Sequence, residues 1–119
     1  MEHASMLNSL ARGLALTRKE LGPDITVLRL SILLCAHANE GVSQRELLAH
    51  LDQVSVTALS RNLADLSALS ARKTPGLDLI ELRSDPMNLR IKRVHLTDRG
   101  RKFVTRLVKT MAMPPRRTS

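Results

Sequence analysis

The residues best suited to molecular recognition lie between positions 55 and 62. This stretch holds small or hydrogen-bonding side chains around a single cation, Arg61. Arginine and asparagine can form paired hydrogen bonds to guanine and adenine, and a methyl group can contact thymine. On the exposed face of one helix, such residues would fit the major groove of a DNA duplex. The candidates for this role are Ser55, Thr57, Ala58, Ser60, Arg61 and Asn62.

A second group of candidate contacts is mostly cationic and lies between positions 88 and 93. It comprises Asn88, Arg90, Lys92 and Arg93. A cationic tip on a thin hairpin suits phosphate contact and insertion of an arginine into a narrow, strongly negative minor groove. Alternatively, the charges protect an exposed strand edge from aggregation, and the two roles are compatible.

Residues for catalysis or metal binding do not form a recognisable arrangement. The four histidines lack metal-ligand spacing with Cys35 or with one another; they are His3, His37, His50 and His95. Serine and histidine occur without the context of a nucleophile elbow, and there is no glycine-rich phosphate loop. We therefore expect neither an enzyme nor a bound cofactor or metal ion.

The distribution of charge points to an acidic partner. The 119 residues carry a net charge of +8, and the first 40 contain four Lys/Arg and four Asp/Glu, so residues 41–119 carry the whole excess. Nucleic acid is the usual partner of such a basic segment, with an anionic membrane surface second. The single aromatic residue, Phe103, argues against single-stranded nucleic acid, because base stacking needs aromatic side chains. We expect double-stranded DNA.

Length and hydropathy indicate one cytoplasmic domain with no membrane partner. A chain of 119 residues suits a single domain. It has no secretory signal segment, and no apolar run approaches the roughly 20 residues that span a bilayer.

Apolar periodicity predicts two helices before the candidate residues. The first, over about 3–21, carries leucines at three- and four-residue steps and ends at Gly22-Pro23. The second, over about 25–39 and capped by Asp24, is apolar on nearly all sides. Such a helix belongs in the middle of the domain.

The next two helices form a helix-turn-helix pattern over about residues 44–70. Ser43 and Glu46 fit a capping box that opens a short helix over about 44–51. Ser55 caps a longer helix over about 56–70 with one apolar stripe. Two helices joined by so short a turn are typical of DNA-binding proteins. Ser43 and Gln44, at the start of the first, are further candidates for DNA contact.

A hairpin and a final helix complete the predicted fold. Strands over about 77–83 and 89–96 form a wing over about 77–96, and Thr97 caps a helix over about 98–112. Residues 114–119 are expected to form a disordered basic tail. The predicted fold class is α+β, mainly α: a winged helix-turn-helix within a single domain over residues 1–113, with flanking N- and C-terminal dimerisation helices.

The two terminal helices carry apolar faces that a monomer would leave in water. We therefore expect a homodimer through Leu7, Leu10, Leu14, Phe103, Val104, Leu107, Val108 and Met111. Gly13 interrupts the first helix, and one explanation is a close helix–helix approach at this point.

Three segments resemble the multiple-antibiotic-resistance regulator (MarR) family. The first segment, residues 85–100 in the wing region, contains Asp85-Pro86, Arg90 and Leu96-Thr97 with Gly100, at the family's spacing. The other two segments lie in the helix-turn-helix and are Ser43-Gln44-x-Glu46-Leu47 and Ser60-Arg61-x-Leu63. The resemblance covers about residues 24–105. It implies a homodimer with intertwined terminal helices, recognition helices in successive major grooves, and wings in the flanking minor grooves.

The chain departs from the family pattern in two ways. The connection between the recognition helix and the first wing strand is several residues longer than usual, and the chain is shorter overall. Both departures put the family's small-molecule pocket in doubt, so the effector, if there is one, stays unknown. The sequence indicates a sequence-specific DNA-binding transcription regulator, a homodimeric repressor on a pseudo-palindromic site. The alternative is a winged-helix module for non-specific DNA binding or protein interaction.

Overall fold

The computed structural model describes residues 2–70 and 72–114, with five helices and two strands among them. The elements follow the order α1 (Glu2–Leu21), α2 (Val27–Ala38), α3 (Gln44–Ala49), α4 (Val56–Leu66), β1 (Ile80–Asp85), β2 (Asn88–Leu96) and α5 (Asp98–Ala112). This order is the predicted winged helix-turn-helix. Residues 115–119, most of the expected basic tail, lie outside the described residues.

The chain divides into two compact units. One runs from Thr26 to Lys102 and contains the helix-turn-helix and the hairpin; we call it the reading unit. The other consists of the two ends of the chain, up to Ile25 and from Phe103 onwards; we call it the terminal unit. The single domain expected over residues 1–113 stays a prediction.

The core of the reading unit forms around α2. This helix contacts α3, α4 and β2, as its apolar sequence predicted. Ile32, Leu33 and Ala36 of α2 are fully buried. Leu59, Leu63 and Leu66, the apolar stripe of α4, are buried as well. Their burial turns the opposite side of that helix toward solvent.

Three helices are shorter than predicted, two of them for an identifiable local reason. The second begins two residues late because Thr26, rather than Asp24, caps it, its hydroxyl accepting a hydrogen bond from Arg29 N at 3.0 Å. The fourth ends at Leu66 rather than at residue 70, because Ser67 is extended and its hydroxyl donates to Ala64 O at 2.6 Å. The third ends at Ala49 instead of residue 51.

The first wing strand lies three residues later than the predicted 77–83. Leu77 N donates to Asp65 O at 3.0 Å, and Leu79 N donates to Leu66 O at 2.7 Å, so this segment is bound to the end of α4 instead of to β2. Asp78 between them has a φ of 56°, which a strand cannot contain. β1 then pairs antiparallel with β2, from Ile80 opposite Leu96 onward.

The start of α5 explains the Leu-Thr-x-x-Gly segment. Thr97 caps the helix as predicted, its hydroxyl accepting a hydrogen bond from Gly100 N at 3.0 Å and donating to Asp78 O at 2.7 Å. A Cβ at position 100 would lie 2.0 Å from Leu79 O. Only glycine therefore fits at this position.

In the terminal unit, α1 and α5 lie antiparallel. Arg12 donates to the carbonyl groups of the last turn of α5, at 3.3 Å to Thr110 O and 2.7 Å to Met113 O, while Glu20 pairs with Arg106 earlier in the same helix. A cation on unpaired carbonyl groups stabilises a helix C-terminus. Hydrogen bonds from Arg106 to Glu20 raise the pKa of the Arg106 guanidinium above its ordinary value.

Gly13 lies where the two helices approach each other. A Cβ at this position would lie 2.9 Å from Met111 Cγ and 3.1 Å from Leu107 Cδ1. The close helix–helix approach offered as one explanation for this glycine is therefore present within a single chain.

Three residues of the α5 face that was predicted to serve dimerisation are buried within the single chain. Phe103, Val104 and Leu107 are at most 6% exposed within the single chain. Their part in a dimer stays a prediction, whereas Val108 of the same helix is 60% exposed.

Candidate nucleic-acid interface

The N-terminal half of α4 presents a small, polar face. Ser55 caps the helix, its hydroxyl accepting a hydrogen bond from Ala58 N at 3.0 Å, and the buried leucine stripe sets the rotation of the helix. Ala58 is half-buried. The exposed residues of this half are Ser55, Val56, Thr57, Ser60 and Arg61. Helical periodicity predicts Val56 on the buried stripe with Leu59 and Leu63, and this is wrong, because Val56 is 66% exposed.

Arg61 and Asn62 are neighbours in sequence, but their side chains have different roles. Arg61 is exposed and makes no hydrogen bond or ion pair with any residue that the structure describes, so its guanidinium can bind a ligand. Asn62 is half-buried; its Oδ1 accepts from Arg29 Nε at 3.0 Å and its Nδ2 donates to Ala58 O at 2.8 Å. The expectation of a base-reading Asn62 therefore does not fit this geometry, since the amide stabilises α4 against α2.

Ser43 has a structural role that conflicts with its predicted DNA contact. It is 8% exposed, and both hydrogen bonds of the capping box are present: Glu46 N donates to Ser43 Oγ at 3.1 Å, and Ser43 N donates to Glu46 Oε1 at 3.2 Å. These bonds lower the pKa of the Glu46 carboxyl. Gln44 is half-buried at the start of α3, and the neighbouring Arg45 is fully exposed.

The wing turn is closed by Asp85. Its Oδ1 accepts a hydrogen bond from Met87 N at 2.7 Å, and its Oδ2 accepts from Arg93 Nε at 2.7 Å. The bond from Met87 N, followed by that from Arg93, lowers the pKa of the Asp85 carboxyl. Asn88 has a similar local role, because its Oδ1 accepts from Arg90 N at 3.1 Å.

Arg93 lies opposite Arg83 in the middle of the hairpin and not near the tip as predicted; we call its contacts with Asp85, Gly41 and Glu46 the wing base. Besides Asp85, its guanidinium donates to Gly41 O at 3.0 Å and lies 3.6 Å from Glu46 Oε1. The sequence separation of 52 residues between Gly41 and Arg93 explains why periodicity alone did not indicate this contact. Arg93 thus connects the hairpin to the segment that opens α3.

Arg90 and Lys92 occupy the exposed part of the wing. Lys92 Nζ donates to Ser84 Oγ across the hairpin at 2.7 Å. The exposed Arg90 side chain has no ion pair or hydrogen-bond partner among residues 2–70 and 72–114. Met87 and Leu89 are 93% and 70% exposed beside it. The predicted set of DNA-contacting residues included neither of these two apolar residues at the tip.

A concave surface joins the start of α3, the start of α4 and β2. We call it the recognition cleft; its volume is about 480 Å³. It adds Arg45 and brings together five residues of the predicted set: Ser43, Gln44, Ser60, Arg90 and Lys92. Apolar side chains complete its lining: Leu48, Val56, Leu59 and Ile91. Three cations around a surface with a partly apolar lining can hold phosphate groups while base methyl groups contact the apolar part.

Metal binding and membrane insertion have no support in the described part of the chain. No three His, Cys, Asp or Glu residues there are grouped to hold a metal ion. None of the helices in residues 2–70 and 72–114 is both long enough and apolar enough to cross a membrane.

Comparison with known proteins places the fold. The sequence matches no known protein family and no curated protein. Among solved structures, a MarR family transcription regulator is 27% identical over 91% of this chain and 67% of its own, with a TM-score of 0.61. MarR itself is 24% identical over 92% of this chain and 75% of its own, with a TM-score of 0.56.

A third similar structure is the PcaV transcriptional regulator from Streptomyces coelicolor, solved in complex with its natural ligand. It is 22% identical over 92% of this chain and 70% of its own, with a TM-score of 0.56. The resemblance found in the wing and the helix-turn-helix is thus confirmed at the level of the fold. The chain has the winged-helix fold of MarR-type proteins, and this likeness supports a DNA-binding transcription regulator.

Proposed function

We propose that this protein is a cytoplasmic transcription repressor that binds a pseudo-palindromic DNA site as a homodimer. In each copy, α4 enters a major groove and the wing contacts the flanking minor groove. The dimer blocks transcription by occupying the site. The proposal rests mainly on one observation: Arg61 on α4 and Arg90 on the wing are exposed and without partners among the described residues, in a fold shared with transcription regulators.

Charge and shape around these two arginines favour a duplex. The recognition cleft supplies three cations, Arg45, Arg90 and Lys92, and helix-turn-helix proteins use such a surface to bind the sugar-phosphate backbone. The α4 face between them carries small side chains, Ser55, Thr57 and Ser60. Small side chains allow the helix to lie deep in the groove, where Arg61 can reach a guanine.

An apolar stripe on α1 supports the dimer. Met6, Leu7, Leu10 and Leu14 are between 41% and 69% exposed, at helical spacing along one face. Val108 adds a fifth exposed apolar side chain in the same unit. A second copy covering this stripe would remove it from water. For a symmetric helix-turn-helix dimer we expect half-sites about one turn of DNA, ~10 bp, apart.

Selection of bound sequences from a random duplex library tests the proposed specificity. We expect the wild-type protein to enrich a two-fold symmetric motif. Arg61→Ala should relax the preference at one position in each half-site, at a cost of about 1–3 kcal/mol there, because one arginine–guanine pair is removed. Lys19→Ala, which removes an exposed cation of the terminal unit, is the control and should leave the motif unchanged. Recovery of random sequence by the wild type would refute sequence-specific binding.

The molar mass in solution tests the dimer. Light scattering should give twice the 13.2 kDa of one chain for the wild type. Leu10→Glu places a charge in the apolar stripe and should give a monomer, whereas Asn8→Glu, exposed on another side of α1, should leave the dimer intact. A monomeric wild type would refute the dimer.

A further inference from the structure

The connection between α4 and β1 is described over residues 67–70 and 72–79, and it carries two cations near its tip. Ser70 N donates to Thr74 O at 2.8 Å, Lys73 N donates to Ser70 O at 2.9 Å, and the hydroxyl groups of Ser70 and Thr74 lie 2.7 Å apart. These bonds close a narrow turn. The turn carries Arg72 and Lys73, both exposed.

The base of this loop is bound to the C-terminal end of α4. Gly76 N donates to Ala68 O at 3.0 Å, and Leu77 N donates to Asp65 O at 3.0 Å. Because α4 is itself fixed by its buried leucines, the position of the tip relative to α4 is fixed as well. The extra residues that lengthen this connection therefore form a defined projection.

Between the loop and α4 lies a second concave surface, which we call the basic cleft. Its volume is about 730 Å³, and three arginines contribute to its lining: Arg29, Arg61 and Arg72. Hydroxyl groups of Ser70 and Thr74 also line it. Arg29 donates to Asp65 Oδ2 at 2.7 Å, so its charge is balanced by the carboxylate in the lining. The excess positive charge comes from Arg61 and Arg72.

This combination of groups suits a phosphate. Arginine presents paired N–H donors that match the oxygens of a phosphate, and hydroxyl groups supply further donors. The cleft is open to solvent and its net charge is positive, so an extended polyanion can reach it. Arg61 both lines the basic cleft and stands on the exposed face of α4, so any duplex that meets this face passes beside the loop.

We propose that the α4–β1 loop is a third DNA-contacting element, in which Arg72 and Lys73 hold backbone phosphate groups beside the groove that α4 reads. This inference rests on the proposed function, because it uses the duplex placed by α4. Phosphate contacts carry no base information. The loop therefore increases affinity for every duplex and leaves the order of sequence preference unchanged.

The test is the salt dependence of duplex binding by a loop variant, Arg72→Ala with Lys73→Asn. Asparagine is chosen at position 73 because φ there is 62°, which asparagine tolerates. Fluorescence anisotropy with a selected duplex and a scrambled duplex, over a series of salt concentrations, gives the slope of log K against log salt. We expect the slope to shrink by about 0.9 for each phosphate that the variant no longer neutralises. Affinity for both duplexes should fall by the same factor.

A matched control removes two exposed cations elsewhere. Lys19→Ala with Lys109→Ala lies on the terminal helices and should keep the wild-type slope, with unfolding curves confirming that both double variants are folded. A loop variant that keeps the wild-type slope while the wild type binds DNA overturns the loop proposal alone, as does a slope reduced equally in the control. Titration with inorganic phosphate that saturates the loop site without changing the DNA slope also overturns it. A wild type that binds no duplex overturns the proposed function and the loop proposal together.

Discussion

The base and the tip of the wing contain the same types of residue in opposite arrangements. At the base, Arg93 is held by Asp85, by the carbonyl group of Gly41 and by Glu46. At the tip, Arg90 is exposed and makes no ion pair with the described residues. The two arginines are three positions apart on one strand. Arg93 has partners within the chain, whereas Arg90 is free to bind another molecule.

This contrast separates positioning from contact. The charge of Arg93 is already balanced by two carboxylates, those of Asp85 and Glu46, so its guanidinium attracts a phosphate less strongly than an unpaired one does. Arg93 therefore fixes the hairpin relative to α3, and Arg90 stays exposed at the tip of the hairpin that Arg93 holds. The same division appears on α4, where Asn62 is engaged with Arg29 and Arg61 is not.

The largest expected effect is the loss of protein stability when Arg93 of the wing base is replaced. Arg93→Ala removes the hydrogen bonds to Asp85 and Gly41 and leaves a carboxylate whose side chain is 13% exposed without its cation. Hydrogen bonds to charged groups contribute about 1.5–3 kcal/mol, so we expect a loss of free energy of unfolding of that order in urea denaturation. An Arg93→Ala protein as stable as the wild type would show that the wing base does not depend on this network.

The next effect is on DNA binding through the tip. Arg90→Ala should leave the free energy of unfolding unchanged, because the side chain has no described partner. It should weaken binding to all duplexes by a similar factor and reduce the salt slope by about 0.9 for each phosphate that Arg90 neutralises in the wild type. Anisotropy titrations measure this. The contrast fails if Arg90→Ala unfolds the protein or changes sequence preference at one base position.

The smallest effect is on the pH dependence of stability at the wing base. Hydrogen bonds lower the pKa values of Asp85 and Glu46 below their ordinary values of 3.8 and 4.5. A carboxyl with a lowered folded pKa adds stability above its ordinary pKa and loses it as the pH falls through the lowered value.

Asp85→Asn should therefore be less stable than the wild type at pH 7, and the difference between their melting temperatures should shrink below about pH 4 as Asp85 takes up its proton. Thermal unfolding at a series of pH values measures it. A gap that stays constant from neutral to acidic pH would mean that the charge of Asp85 does not hold the wing.

Local sequence signals predicted most of the elements, because those elements depend on neighbours in the chain. The capping residues Ser43, Ser55 and Thr97 occupy their predicted positions, and α5 has the predicted bounds. Features that depend on contacts with distant residues could not be predicted from the local sequence. The conformation of Leu77–Leu79, for example, is set by hydrogen bonds to the end of α4, whereas the alternating apolar pattern had predicted a strand.

The site follows the same rule. Helical periodicity placed Arg61 on the exposed face correctly, since this depends only on the buried stripe of α4. Periodicity could not separate Arg90 from Arg93, or Arg61 from Asn62, because the partners of Arg93 and Asn62 come from other parts of the chain, Gly41 and Arg29. Periodicity likewise could not predict that Phe103 is buried within the single chain, because this burial depends on packing in the folded protein.

The most direct test of the central claim compares the affinity of the wild-type protein for a selected duplex with its affinity for a scrambled duplex at one physiological salt concentration. Specific regulators prefer their site by about 10³-fold or more, and we expect such a preference, with binding to both duplexes weakening as salt rises. Equal affinity for the two duplexes, or binding that does not change with salt, would contradict the account.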